Sequence, residues 1–294
     1  MIRRMIAASL PLVPRPIVRR IAMRYVAGET IDDAVRCVEG LNSRGMTATL
    51  ALLGEEVTDR ERVEAATTAY LELLSRIGHL DSGISIKLTL LGLKIDKEYC
   101  YANLVRVLEA AKPQDTFVRL DMEDHTCTDD TLELFARARR EHPHVGVVLQ
   151  AYLRRTLDDI RALPEGSNVR LCKGIYIEPR RVAFQDYEKI RTNFQACLEE
   201  LFEVGATVGI ATHDDLLLRQ AQETISRRQL PRERYEFQML LGVIEKERDA
   251  LVAAGHPMRV YVPYGDDWYL YSVRRLRENP QIAIYVLRAL LGGR

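Results

Sequence analysis

The sequence predicts an α/β fold, a (β/α)8 TIM-like barrel with extra helices at its N-terminus and a further helix after the eighth strand. Three observations carry that prediction. The chain has 294 residues, a length that suits one large barrel or a doubly wound sheet. Beyond residue 45, eight short apolar runs alternate with longer amphipathic stretches, the rhythm of strands joined by crossover helices. Neither a GxGxxG turn nor a GxxxxGK[ST] loop is present, although a doubly wound nucleotide-binding sheet would be expected to carry one. No Gly/Ser linker divides the chain. It therefore reads as a helical segment, residues 1–45, packed on a barrel domain, residues 46–294.

The elements follow in order. Residues 1–25 are basic and amphipathic, with Pro11 inside the apolar part and Arg15, Arg19, Arg20 and Arg24 close behind it. That pattern lacks a signal-peptide cleavage site. It reads as a helix pair packed on the barrel, with peripheral contact to an anionic membrane surface as the functional alternative. The candidate strands are residues 47–52, 83–88, 116–120, 145–149, 168–172, 207–211, 235–239 and 259–262. Between them, helical spacing covers residues 59–75, 97–111, 129–140, 181–202, 214–226 and 243–253, with Asp59, Asp129 and Asp214 placed to cap the helices they begin. The fourth crossover helix, after Thr156, must be short because Pro164 follows.

Composition narrows the function classes. Lys and Arg number 42 and so do Asp and Glu, so there is no cationic surplus to neutralise a phosphate backbone. Hydrophobic residues make up 47% and charged residues 29%, an ordinary globular balance. No apolar run approaches the ~20 residues of a membrane span. Cys37, Cys100, Cys127, Cys172 and Cys197 form no CxxC pair, and an odd, scattered set reads as reduced thiols in a cytoplasmic protein. No HxH or HExxH marks a metal site.

Functional residues of such barrels gather at the C-terminal ends of the strands. Here every end is polar: Glu55 after the first strand, then Lys87, Asp121, Gln150, then Arg170 with Lys173 and Tyr176, then Thr212 and His213, Gln238, and finally Tyr261 with Tyr264. Taken singly, the lysines read as surface charge and the Asp and His-Asp positions as helix caps. Eight polar ends in a row converge on one mouth. On the last helix, Arg274, Arg275 and Glu278 stand at i,i+4 and i,i+3 spacing. They are either a solvated face with a weak ion pair or an arginine pair that grips a carboxylate. Glu55 and Arg274 would be neighbours once the barrel closes, which makes Glu55 a candidate gate over a bound substrate.

These segments resemble, in order and over nearly the whole chain, the FAD-dependent proline dehydrogenase family in its bacterial monofunctional form. The carrying motifs are SIKLT with Lys87, LDMED from Asp121, LQAYLRRT with Gln150, VRLCKGIYIEP, ATHDD, YEFQMLLG, and RVYVPYGDDWYLYSVRRLREN. The resemblance implies a flavin across the strand ends, with Asp121, Met122, Gln150, Arg170, Lys173, Gly174, Ile175, Tyr176, Thr212, His213, Gln238 and Glu278 around it. It places the substrate carboxylate on Lys87, Arg274 and Arg275, with Asp121 orienting Lys87 and with Tyr261 and Leu240 against the substrate ring. The implied reaction is oxidation of L-proline to 1-pyrroline-5-carboxylate, on the route to glutamate, with electrons passed to a membrane quinone. One departure is Ile175, where the family has a small residue; its volume bears on flavin affinity and rate. Two other readings share the residues. One is a Schiff-base aldolase using Lys87 or Lys173, and the other is a barrel that only senses proline or flavin.

Overall fold

A computed structural model of the chain describes Arg19, residues 22–269, Tyr271 and Ser272. Eight parallel strands, β1 (Thr47–Leu52), β2 (Ser82–Ile86), β3 (Val118–Leu120), β4 (Val145–Gln150), β5 (Asn168–Cys172), β6 (Thr207–Ala211), β7 (Tyr235–Leu240) and β8 (Met258–Tyr264), pair in sequence order. The barrel closes where β1 meets β8, with Thr49 opposite Tyr261.

Side chains alternate across a strand, so each strand has two sets of residues. One set is apolar throughout: Leu50, Ile84, Leu120, Val147, Leu171 and Ile210 are fully buried in the core shared with the helices. The other set points into the lumen, where Ser85, Arg119, Asp121, Arg170, Gln238 and Tyr261 bond to one another or to strand carbonyls. Burying charge there is tolerable where it is paired, as Arg170 is with Asp121, or bonded to strand carbonyls, as Arg119 is to Val147 O and Asn168 O.

The helices are α1 (Ile31–Asn42), α2 (Arg60–Ile77), α3 (Lys97–Ala111), α4 (Thr128–Arg139), α5 (Thr156–Arg161), α6 (Tyr187–Glu203), α7 (Asp215–Arg228) and α8 (Glu245–Ala253). Within the N-terminal segment, α1 starts at a capping box between Thr30 and Asp33 and buries Ala34, Val38 and Leu41 in the main core. The membrane-contact reading of residues 1–25 falls mostly outside the described residues. Among the described residues no helix is long and apolar enough to cross a membrane.

Several boundaries differ from the sequence expectation. Asp59 and Asp214 do cap α2 and α7, but Asp129 caps nothing. A 3-10 turn at His125–Cys127, capped by Asp124, leads straight into α4, so Asp129 lies in the first turn and pairs with Arg155. The sixth helix begins at Tyr187, capped by Asp186, rather than at residue 181. Its expected first turn instead bonds back to the loop after β4, Arg154 N–H to Val182 O and Phe184 N–H to Tyr152 O. Ile244 takes a left-handed φ of 38° and delays α8 to Glu245. Lys87 leaves β2 because its carbonyl accepts the Leu90 N–H in a turn, 3.0 Å.

Candidate active site

Five strands build one polar cluster at the mouth. Asp121 follows β3, where its N–H is held by Ile86 O at 2.8 Å. Its Oδ1 accepts from Ser85 Oγ at 2.7 Å and from Arg170 Nη1 at 2.8 Å, and its Oδ2 accepts from the Tyr261 hydroxyl at 2.9 Å. Burial and the Asp121 carboxylate push the Tyr261 phenol well above its ordinary range, which keeps it protonated as the donor. The Arg170 guanidinium carbon stands 5.1 Å from the Tyr261 ring centre, within cation–π range. Arg170 Nε donates to Gln238 Oε1 and Nη1 reaches Ser85 Oγ at 3.2 Å. Nη2 carries no hydrogen bond among the described residues. Arg170 is thus held on three sides with one donor group spare.

Lys87 is nearly buried beside this cluster, and its ammonium makes no hydrogen bond or ion pair among the described residues. The charge of Lys87 favours the ionised form of Glu123, a carboxylate that sequence reasoning passes over in favour of Asp121. Glu123 is buried, accepts from Thr89 N–H at 3.0 Å and from the Thr89 hydroxyl, and its carbonyl accepts from Gln150 Nε2 at 2.9 Å. Burial pushes its carboxyl up against those hydrogen bonds. Met122 beside it is also buried. Sequence reasoning misses Ser85 too; its signal is a polar residue two positions before Lys87, on the same strand parity.

A second cluster lies between the ends of β5 and β6. Asp214, the cap of α7, accepts from Arg191 Nε and Nη2 at 2.9 Å each, from Lys173 Nζ at 3.0 Å and from Tyr187 OH at 2.6 Å. Burial raises the Asp214 carboxyl, but these donors outweigh it and hold the group well below the usual carboxylate range. Thr212 Oγ1 accepts the Asp214 N–H at 3.2 Å. His213 Nε2 accepts the Leu240 N–H at 3.0 Å, tying β6 to β7.

Between the clusters, Gly174 has φ +112°, and a Cβ there would collide with the Tyr152 ring. The position therefore demands glycine on both backbone and space grounds. The Tyr152 hydroxyl beside it is buried and unpartnered among the described residues. Ile175 and Tyr176 are half-buried in the same loop, and Ile177 is 97% exposed. Glu55 is half-buried after β1. Arg274, Arg275 and Glu278 lie outside the described residues, and with them the proposed Glu55–Arg274 gate. The sequence-predicted residues thus fall into two groups. Lys87, Asp121, Gln150, Arg170, Gln238 and Tyr261 share the lumen, while Lys173, Thr212 and His213 sit at the rim.

The family model described as "Proline dehydrogenase" matches residues 34–286. Proline dehydrogenase 1 of Bacillus subtilis subsp. natto is 36% identical over 273 residues, covering 92% of this chain and 90% of that protein. Proline dehydrogenase of Deinococcus radiodurans is 33% identical over 302 residues, covering 97% of each. A crystal structure of proline utilization A (PutA) from Bdellovibrio bacteriovorus, inactivated by N-propargylglycine, superposes with a TM-score of 0.82 at 26% identity. The match covers 89% of this chain and 33% of that one, so the chain spans about a third of that longer protein. With the matched span running through the barrel and its polar mouth, the chain belongs to the proline dehydrogenase family.

Proposed function

We propose that this proline dehydrogenase family enzyme oxidises L-proline to 1-pyrroline-5-carboxylate with FAD as the resident electron acceptor, and that the reduced cofactor is reoxidised by a membrane quinone. The observation that carries the reading is Arg170, a buried cation held at the barrel mouth by Asp121, Ser85 and Gln238 with Nη2 unengaged among the described residues. The residues present fit a flavin. The Tyr152 hydroxyl, buried and unpartnered among the described residues, and the unengaged Nη2 of Arg170 offer it polar atoms. FAD, when bound, supplies a two-electron acceptor in its isoalloxazine ring, a chemistry no protein side chain offers here.

The chain's own residues bind and orient. Lys87, with Arg274 and Arg275, forms the carboxylate clamp. Leu240 and Tyr261 pack the pyrrolidine ring, and Tyr261 is itself fixed by its bond to Asp121. Arg170 places positive charge where negative charge develops, the kind of preorganised field that contributes most to barrier lowering. Met122, Gln150, Lys173, Ile175, Tyr176, Thr212, His213 and Glu278 would hold the cofactor. Lys173 is ill placed as a Schiff-base nucleophile, because its Nζ is engaged by Asp214 and Tyr187. Oxidation removes a hydride from C5 and a proton from the ring nitrogen, leaving the C5=N bond of the product. The balanced charge of the chain and the basic segment in residues 1–25 suit a cytoplasmic protein that docks at a membrane surface to meet the quinone. The test is a spectrum: FAD-loaded protein mixed anaerobically with L-proline should lose its flavin absorbance. Retained colour, with a lysine trapped by borohydride and a carbonyl compound, would overturn the reading in favour of an aldolase.

A further inference from the structure

Below the mouth, the lumen holds a second layer of charge that the oxidation does not use directly. Arg259 of β8 donates from Nε to both Glu236 oxygens, at 2.8 and 3.0 Å, and from Nη1 to Ala48 O at 2.8 Å. Glu236 of β7 in turn accepts from Gln238 Nε2 at 2.5 Å, and Gln238 Oε1 accepts from Arg170 Nε. A hydrogen-bonded line therefore runs from Arg259 through Glu236 and Gln238 to Arg170, and on to Asp121 and Tyr261.

The polarity of that line is unique. A guanidinium can only donate and a carboxylate can only accept, whereas a primary amide does one at each end. Gln238 lies between Arg170 and Glu236, so its oxygen must face Arg170 and its NH2 must face Glu236. The reverse orientation would oppose donor to donor and acceptor to acceptor. Burial raises the Glu236 carboxyl, but Arg259 and Arg119 outweigh it and hold the group below its ordinary range, so it stays the acceptor. The barrel also leaves room for the amide. Gly209 of β6 faces Glu236 in register, and a Cβ there would collide with Gln238 Nε2.

We propose that Glu236 is a positioning residue for the oxidation. By accepting from Gln238 it fixes the orientation of that amide, and through it the placement of the Arg170 guanidinium. The proposal rests on the reading of Arg170 as the residue beside the cofactor. Glu236 touches neither substrate nor cofactor in this account. A plain counterion of Arg259 would need no link to Gln238; here one carboxylate serves both.

Two variants of the FAD-loaded enzyme test this. Glu236→Leu removes the acceptor shared by Gln238 and Arg259. Flavin reduction by proline should slow about 100-fold, the usual scale for a misplaced group, and the flavin midpoint potential should shift as Arg170 is displaced. The double variant Glu236→Leu, Arg259→Leu also removes the buried cation left unpaired, so it should regain stability yet stay slow, because Gln238 still lacks its acceptor. A folded single variant with wild-type rate and potential overturns the proposal. So does a folded double variant whose rate and potential return to those of the wild type, since Glu236 would then be only the counterion of Arg259. Should the single variant not yield holoenzyme, the double variant decides alone, slow or restored. Bleaching of the wild-type flavin by proline reports separately on the functional reading.

Discussion

Asp121 and Asp214 both follow a strand and both gather several donors, yet they serve different ends. Asp214 sits at the rim, caps α7, and commits its two oxygens to Arg191, Lys173 and Tyr187, residues that bond little else. It closes a local circuit that fastens α6 to α7. Asp121 sits in the lumen and divides its oxygens between side chains from β2, β5 and β8, each of which points at the mouth. The same side chain thus acts as a staple where its partners lie on the adjoining strand end and helix at the rim, and as an organiser where they come from around the barrel. Location within the closed sheet, and not residue type, separates the two.

Substitutions can break that contrast. Asp121→Ala should have the largest effect. It leaves Arg170 as a buried charge without its carboxylate, a loss of about 3–5 kcal/mol in stability for such pairs, and it should lower kcat by at least about 100-fold as Arg170 and Tyr261 lose their common anchor. Thermal melting and steady-state kinetics on the same preparation check both; wild-type turnover would remove Asp121 from the organising role.

Asp214→Asn should do the opposite. Asn retains a capping acceptor but not the charge, so the expected result is a stability loss of about 1.5–3 kcal/mol, the scale of hydrogen bonds to a charged group, with kcat changed less than tenfold. The pH dependence sharpens this. The folded-state carboxyl of Asp214 lies below its unfolded value, so its contribution is fully present above an unfolded pKa of about 3.9 and is lost as pH falls through the folded one. Urea melts should show a constant gap between wild type and variant from neutral to mildly acidic pH, narrowing below about pH 4. A gap that widens on acidification would contradict the circuit described for Asp214. The smallest effect belongs to Tyr261→Phe, which removes one of the donors to Asp121 while keeping the ring over Arg170. A loss of about 1 kcal/mol, read as a several-fold lower kcat/KM for proline, is expected; an unchanged value would make the hydroxyl bond incidental.

Much of this is legible in the residues themselves. The eight strands, the order of the barrel and the polar strand ends all follow from period-two apolar runs separated by amphipathic stretches, and Asp59 and Asp214 announce their helices by type and position. Local chemistry determines such features, because a strand's parity and a helix cap depend on residues a few positions apart. The polar lumen is half visible. Lys87 and Asp121 stand out at strand ends, but Ser85, Arg170 and Glu236 lie inside strands, where sharing the parity of a polar strand end is the sign that they turn inward. Asp129 misleads because a 3-10 turn moves the start of α4, and the sixth helix starts later than its spacing suggests because residues 181–184 pair with the loop after β4. Those outcomes depend on contacts between distant segments. Closing the sheet decides which polar residues meet: Arg170 of β5 finds Asp121 after β3 and Gln238 of β7, while Gly209 of β6 makes room for the amide. Residue types and their spacing determined the barrel and its polar mouth; only the tertiary structure decided the pairings, because in a low-dielectric lumen each buried donor and acceptor must be matched by whichever strand brings a partner within reach.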